Sequence, residues 1–200
     1  MDLGAGMKRS IYKTAVLVLL AAALLPHIAQ SQSGGNLSPQ AQANLVTRLW
    51  MDTCAKHFPN PVQVRAVAAQ YRFQENPPYA QDVLKGQAGT VWDVSLGPHA
   101  QNTLILFSDG RCQVRGRRAD SKSVNDVFEK VLQGINTPGV YAQRIAEKEI
   151  EQDGVQLKQI VYFVSRTGAD QGWAFVSTTS DSEKAGAQAV LTVSRSAKPQ

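Results

Sequence analysis

The chain has 200 residues, 43% of them hydrophobic and 18% charged, with a formal charge of +5. That apolar share is enough for one packed core, and the modest charge excludes a disordered chain. Fifteen Gly and nine Pro exclude collagen-like and low-complexity chains, and no run reaches the ~18 uninterrupted apolar residues of a membrane-spanning helix.

Residues 1–31 read as a secretory signal peptide. Lys8, Arg9 and Lys13 give a positive start, residues 14–25 are an apolar run, and Pro26 breaks it. Ala29-Gln30-Ser31 then places small residues at the −3 and −1 positions of a cleavage site after Ser31. The competing readings are an uncleaved anchor or a buried helix, and the run is about half as long as a membrane helix requires. Met7 is a second candidate start, because residues 1–6 add no signal character. Removing residues 1–31 leaves a charge of +3, too mild to imply a polyanionic partner without local clustering. Residues 32–37 are a flexible lead-in, 38–195 a single domain, and 196–200 a tail.

Ser38-Pro39 starts the first helix, with an N-cap hydroxyl and Pro at its first position. Leu45, Val46, Leu49, Trp50, Cys54 and Phe58 follow at spacings of three and four, which predicts a core-facing stripe. Asn60-Pro61 ends this helix and caps a second, in which Val64, Val67, Ala68 and Tyr71 repeat the pattern. Pro77-Pro78 forces a loop, followed by a short helical turn near Asp82 and Leu84.

The period then changes to two. Residues 91–96 are a strand, and 103–107 and 111–117 flank Ser108-Asp109-Gly110. Reading Asp109-Gly110 as a two-residue type I′ turn sets Ser108 against Arg111, Phe107 against Cys112 and Ile105 against Val114. Ile105, Phe107, Cys112 and Val114 then form one apolar patch, while Arg111, Gln113, Arg115 and Arg117 take the opposite face. Residues 121–123 open an amphipathic helix carrying Val124, Val127, Phe128, Val131, Leu132 and Ile135, limited by Gly134 and Gly139. A second turn at Asp153-Gly154 joins strands 141–151 and 155–165, pairing Ile150 with Leu157 and Glu149 with Lys158. Residues 172–178 and 187–194 add two strands. The expected fold is α+β: an antiparallel sheet of six or seven strands, with the N-terminal helices and the central amphipathic helix packed on one of its faces.

Cys54 and Cys112 are the two cysteines. In an exported protein an even count predicts a disulfide, and both residues fall on expected buried faces. Two other chemistries use the same atoms. Cys54 and His57, three apart on a helix, could form a thiol nucleophile and its base, which also needs an orienting third group. Zinc could take Cys54, His57 and Cys112, one ligand short of a structural site.

One resemblance rests on the helical Cys54, Leu84-Lys85-Gly86-Gln87-Ala88-Gly89-Thr90-Val91-Trp92, Asp109-Gly110-Arg111-Cys112-Gln113-Val114, Ala119-Asp120 and the amphipathic helix after them. Over residues 45–135 the chain resembles small exported bacterial proteins of the proteobacterial type, which carry no assigned chemistry. The resemblance implies a periplasmic or secreted location and paired cysteines. The last four strands lie outside it.

Arg111, Arg115, Arg117 and Arg118 are the densest charge cluster. Arg111, Arg115 and Arg117 are candidate anion-binding residues for lipid headgroups, acidic glycans or carboxylates. The plainer reading is a charged sheet face guarded against aggregation, and alternation puts Arg118 across from the others. Gly86 and Gly89 suggest a phosphate loop but lack the following Lys-Ser/Thr and helix, so a turn into a strand explains them. Glu147, Glu149 and Glu151 alternate on one strand face, without the opposed cleft that carboxylate catalysis requires. Trp92 and Trp173 are core or rim aromatics, or a stacking platform for sugar or peptide if exposed. No catalytic residue, metal or cofactor is assigned. The expected function is a non-catalytic binding or accessory protein of the bacterial cell envelope. Its partner is an envelope protein, glycan or lipid, not nucleic acid, with membrane contact only through the signal peptide before cleavage. The alternatives are a small envelope enzyme using Cys54 and His57, or an anion-binding protein using the strip from Arg111 to Arg118.

Overall fold

The structure is a computed structural model that describes residues 37–58, 60–95 and 101–198. The signal peptide, all of the lead-in except Leu37, Leu96 and the last two residues of the tail lie outside the described residues.

The helical layer begins where expected. Ser38 Oγ accepts the Ala41 N–H at 3.2 Å, and Pro39, which has no N–H to leave unpaired, opens α1 (Pro39–Trp50). The helix continues as one wider π turn, Met51–Ala55. Along this face Val46, Trp50 and Cys54 are fully buried and Leu49 nearly so, whereas Leu45 and Phe58 are half-buried. Three polar residues join the buried face, Gln42, Thr47 and Thr53. Thr47 satisfies its hydroxyl by donating to the Ala43 carbonyl at 2.8 Å. Asn60 Oδ1 caps α2 (Pro61–Gln70) by accepting from Val62 and Gln63. Val64 and Ala68 of α2 are buried, but Tyr71 is exposed and stacks on Phe73.

The strands are β1 (Gln74–Glu75), β2 (Gly89–Asp93), β3 (Asn102–Phe107), β4 (Cys112–Gly116), β5 (Val140–Gln152), β6 (Val155–Arg166), β7 (Gln171–Thr179) and β8 (Ala189–Ala197). They form one antiparallel sheet in the order β1-β2-β3-β4-β8-β7-β6-β5. The α+β architecture is as expected, with one strand more: β1 is two exposed polar residues and offers no apolar alternation to read. β8 also runs further than expected, taking Ser196 and Ala197 into pairs with Gly172 and Gln171.

The register of β3 and β4 corrects the two-residue turn. Leu106 faces Cys112, Ile105 faces Gln113 and Leu104 faces Val114. The loop holds three residues, Ser108 to Gly110, closed by the Phe107 N–H donating to the Arg111 carbonyl at 2.9 Å. Only Gly110 has positive φ there, +89°, as in a type I turn followed by a glycine bulge. A shift of one residue sends every side chain of β3 to the other face. Leu104 and Leu106 therefore join Cys112 and Val114 in the main core, while Ile105 and Phe107 point the opposite way. There α3 (Ala80–Leu84) covers them with Ala80 and Leu84, next to Val91. Helices thus pack on both faces at this end of the sheet, and four consecutive residues of β3 are at most 7% exposed.

The central helix, α4 (Ser121–Gln133), is capped by Asp120, whose Oδ1 accepts the Ser123 N–H at 2.8 Å. Val124, Phe128 and Leu132 are fully buried, each contributing roughly 1.5–3 kcal/mol by leaving water. Phe128 sits 5.4 Å from the ring of Trp50 and 6.0 Å from that of Tyr162, which joins α1, α4 and β6 in one aromatic cluster. Buried Asn125 ties α4 to β7, accepting from Ser177 Oγ at 2.7 Å and donating to Thr179 Oγ1 at 2.9 Å.

Asp153 and Gly154 both have positive φ, the two-residue turn expected, and Ile150 pairs with Leu157 and Glu149 with Lys158. Further along β5 a bulge at Ile145 shifts the register by one.

Candidate functional site

Cys54 in the π turn and Cys112 at the start of β4 lie 5.4 Å apart at Cα and form a disulfide. Both are at most 1% exposed. The bond joins the helical layer to a central strand. With both sulfurs in the bond there is no thiolate to act as a nucleophile or zinc ligand, which removes the Cys54–His57 pair and the three-ligand zinc set. His57 is half-buried near the end of the helical run. Among the described residues no group of three or more His, Cys, Asp or Glu is placed to hold a metal.

The arginine strip divides. Arg111 folds back on its own hairpin: Nε donates to Asp109 Oδ2 at 2.7 Å, Nη2 to Gln87 Oε1, and the guanidinium lies 4.3 Å over the Phe107 ring. It is occupied. Arg118 stands at positive φ just past β4, with its N–H donating to Gln188 Oε1 at 2.6 Å. Arg115 and Arg117 instead line one cleft of about 520 Å³.

Pairing builds this cleft on the sheet face opposite α1 and α4. Asp93 of β2 faces Thr103 of β3, Thr103 faces Arg115 of β4, and Arg115 faces Val190 of β8. Strands are spaced about 4.8 Å apart, so Asp93 and Arg115 stand roughly 10 Å apart across Thr103. Tyr79 and Lys85, at the two ends of α3, form one flank, and Gly186 and Ala187 the other. Arg117 is exposed and donates from Nη1 to Gln101 Oε1 at 2.9 Å. Arg115 is half-buried, and burial holds its pKa below the ordinary value, yet a guanidinium stays charged in proteins. Tyr79 is pushed up to about 12, mainly by burial, with Thr103 and Asp93 beside its hydroxyl, so the phenol keeps its proton. Asp93 Oδ1 accepts the Ser95 N–H at 2.8 Å.

The remaining sequence candidates resolve without a site. Gly86 follows the end of α3 and Gly89 opens β2, a turn into a strand. Glu147 lies between Arg144 at 2.7 Å and Lys158 at 2.8 Å, and the hydrogen bond from Lys158 leads the causes holding its carboxyl below the usual range. Trp92 is buried with Arg65 5.7 Å from its ring, and Trp173 packs edge-on against Phe58. The two tryptophans are not an exposed pair.

Sequence reasoning named Arg115 and Arg117 but missed Tyr79, Thr103 and Gly186, which come from three other segments and carry no motif. Alternation along β3 would have given Thr103 only with the correct register. No known protein family, curated protein or solved structure matches the chain.

Proposed function

We propose that the protein is an exported, non-catalytic binding or accessory protein of the bacterial cell envelope, carried out by the signal peptide at residues 1–31. The observation that carries this reading is the buried Cys54–Cys112 bond, because structural disulfides persist where thiols are oxidised, outside the cytosol. No described helix is long and apolar enough to cross a membrane. The likeness to small exported bacterial proteins over residues 45–135 supports the same location. The structural use of both cysteines supports binding over thiol chemistry, and the cleft at Arg115 offers a concave surface for it.

The partner is an envelope protein, glycan or lipid. The test combines fractionation of the producing cell, thiol mapping without reductant, and capture of partners from envelope fractions. The reading expects a chain shortened near Ser31, found outside the cytosol, with neither cysteine alkylated. A full-length cytosolic chain with two reactive thiols would overturn it.

A further inference from the structure

From the half-buried guanidinium facing the cleft, we infer that Arg115 is the anchor of a small-oxyanion site, taking the carboxylate or phosphate of a ligand on the sheet face opposite α1 and α4. This deepens the binding reading above by naming the ligand chemistry, and it rests on that reading only for the protein being a binder.

The state of Arg115 sets it apart. Arg48, Arg111 and Arg144 each contact a carboxylate, and Arg65 donates to Thr90. Arg115 has no ion pair and no hydrogen bond among the described residues, although it is half-buried. Taking a guanidinium partly out of water is costly unless its donors find acceptors, and its fork matches the two oxygens of a carboxylate or phosphate.

The surroundings suit such a guest. Arg117 and Lys85 add positive charge to the same cleft. Thr103 pairs directly with Arg115 across the two strands, and Tyr79 keeps its phenol protonated beside Thr103 and Asp93, adding no negative charge to repel an anion. A volume of about 520 Å³ is in the range of small-molecule sites, ~300–1,000 Å³. Asp82 and Asp93 also line it, which selects a compact oxyanion over a polyanion: among the described residues three cations oppose two carboxylates, leaving one net positive charge. Asp93 is already engaged by Ser95.

Gly186 allows a second, independent variant. A β-carbon there would lie 3.9 Å from Arg115 Nη2, an ordinary contact, and Gly186 is not among the residues of positive φ. Gly186→Asp therefore puts a carboxylate within reach of the guanidinium and supplies from within what the ligand supplies from outside.

The test titrates the purified protein with inorganic phosphate and with succinate, following the amide resonances of Thr103, Arg115 and Val190, and measures flotation with phosphatidylglycerol vesicles. Saturable binding of phosphate or succinate is expected, weakened about tenfold or more in Arg115→Gln and in Gly186→Asp, the scale of one lost charge-assisted hydrogen bond. Arg115→Lys, which keeps the charge but loses the fork, is expected to fall between. Vesicle binding that needs Arg115, with no response to the free anions, assigns the same chemistry to a lipid headgroup. Two results overturn the inference: no response to any of the three probes up to about 10 mM anion, or binding that both variants leave unchanged while their melting matches the parent. Envelope partners still captured equally by Arg115→Gln would leave the binding reading standing and remove only this site.

Discussion

The β3–β4 and β5–β6 hairpins both close on Asp-Gly, yet their backbones turn differently. At Asp153-Gly154 both residues have positive φ and the loop is two residues long; at Ser108 to Gly110 only the glycine does, and the loop is three. In the first hairpin β3 is buried on both faces and β4 is held by a disulfide. The second carries the outer strand of the sheet, a charged and bulged edge of the kind that resists pairing with other chains. The same dipeptide thus serves two geometries, and what the flanking strands must bury selects between them. Cys112 has to face the π turn to reach Cys54, which fixes its parity. Burial on both sides of β3 leaves Ile105 and Phe107 a core of their own.

The largest effect is expected from the clamp that only the first hairpin has. Cys112→Ala opens a loop of 58 residues and should cost about 4 kcal/mol. Urea denaturation under oxidising conditions checks this, and a midpoint equal to that of the parent would contradict it. Next comes packing. Ile105→Ala, in the smaller core, should cost about 3 kcal/mol, whereas Ile150→Ala, half-buried near the second turn, should cost about 1 kcal/mol or less. Equal losses in chemical denaturation would erase the distinction between the hairpins.

The turns themselves give smaller differences. Asp109 accepts the Arg111 N–H at 3.0 Å, so Asp109→Gly should lose about 1 kcal/mol from that contact and from glycine's added freedom. Asp153→Gly relieves a non-glycine residue at φ 53° and should stay within about 0.5 kcal/mol of the parent. Reversal of this order in thermal melts would mean the two loops have been interchanged. The smallest effect concerns acid. Partial burial pushes the Asp109 carboxyl up, but hydrogen bonds and charge from Arg111 outweigh it and hold it below the ordinary 3.8. The ionised form is therefore favoured in the folded state. Its contribution is present above the unfolded value and is lost as pH falls through the lower folded one. An NMR titration of Asp109 with a midpoint at or above 3.8 would refute this, and Asp109→Asn should remove this part of the acid sensitivity.

Much of the architecture could be read along the chain because local chemistry carried it. Ser38-Pro39 and Asn60-Pro61 are capping pairs whose backbone donors need those oxygens, and Val124, Phe128 and Leu132 show a stripe that only a helix buries. At Asp153-Gly154 the alternation of Ile150 and Leu157 agrees with the turn. At Leu104 to Phe107 four apolar residues in a row contain no alternation, so nothing local separates the two registers. The π turn and the position of β8 are tertiary outcomes. The cleft was half visible: Arg115 and Arg117 stood out as a charged strand, but Tyr79, Thr103 and Gly186 meet them only once the sheet and α3 are assembled.

β8 is the last strand in the chain but lies between β4 and β7. A polypeptide emerging N-terminus first therefore holds two open seams, one on each half-sheet, until residues 189–197 arrive to zip them together. Losing that one segment would leave two separate meanders with raw backbone edges, and Arg115 would lose Val190, its neighbour across the strands.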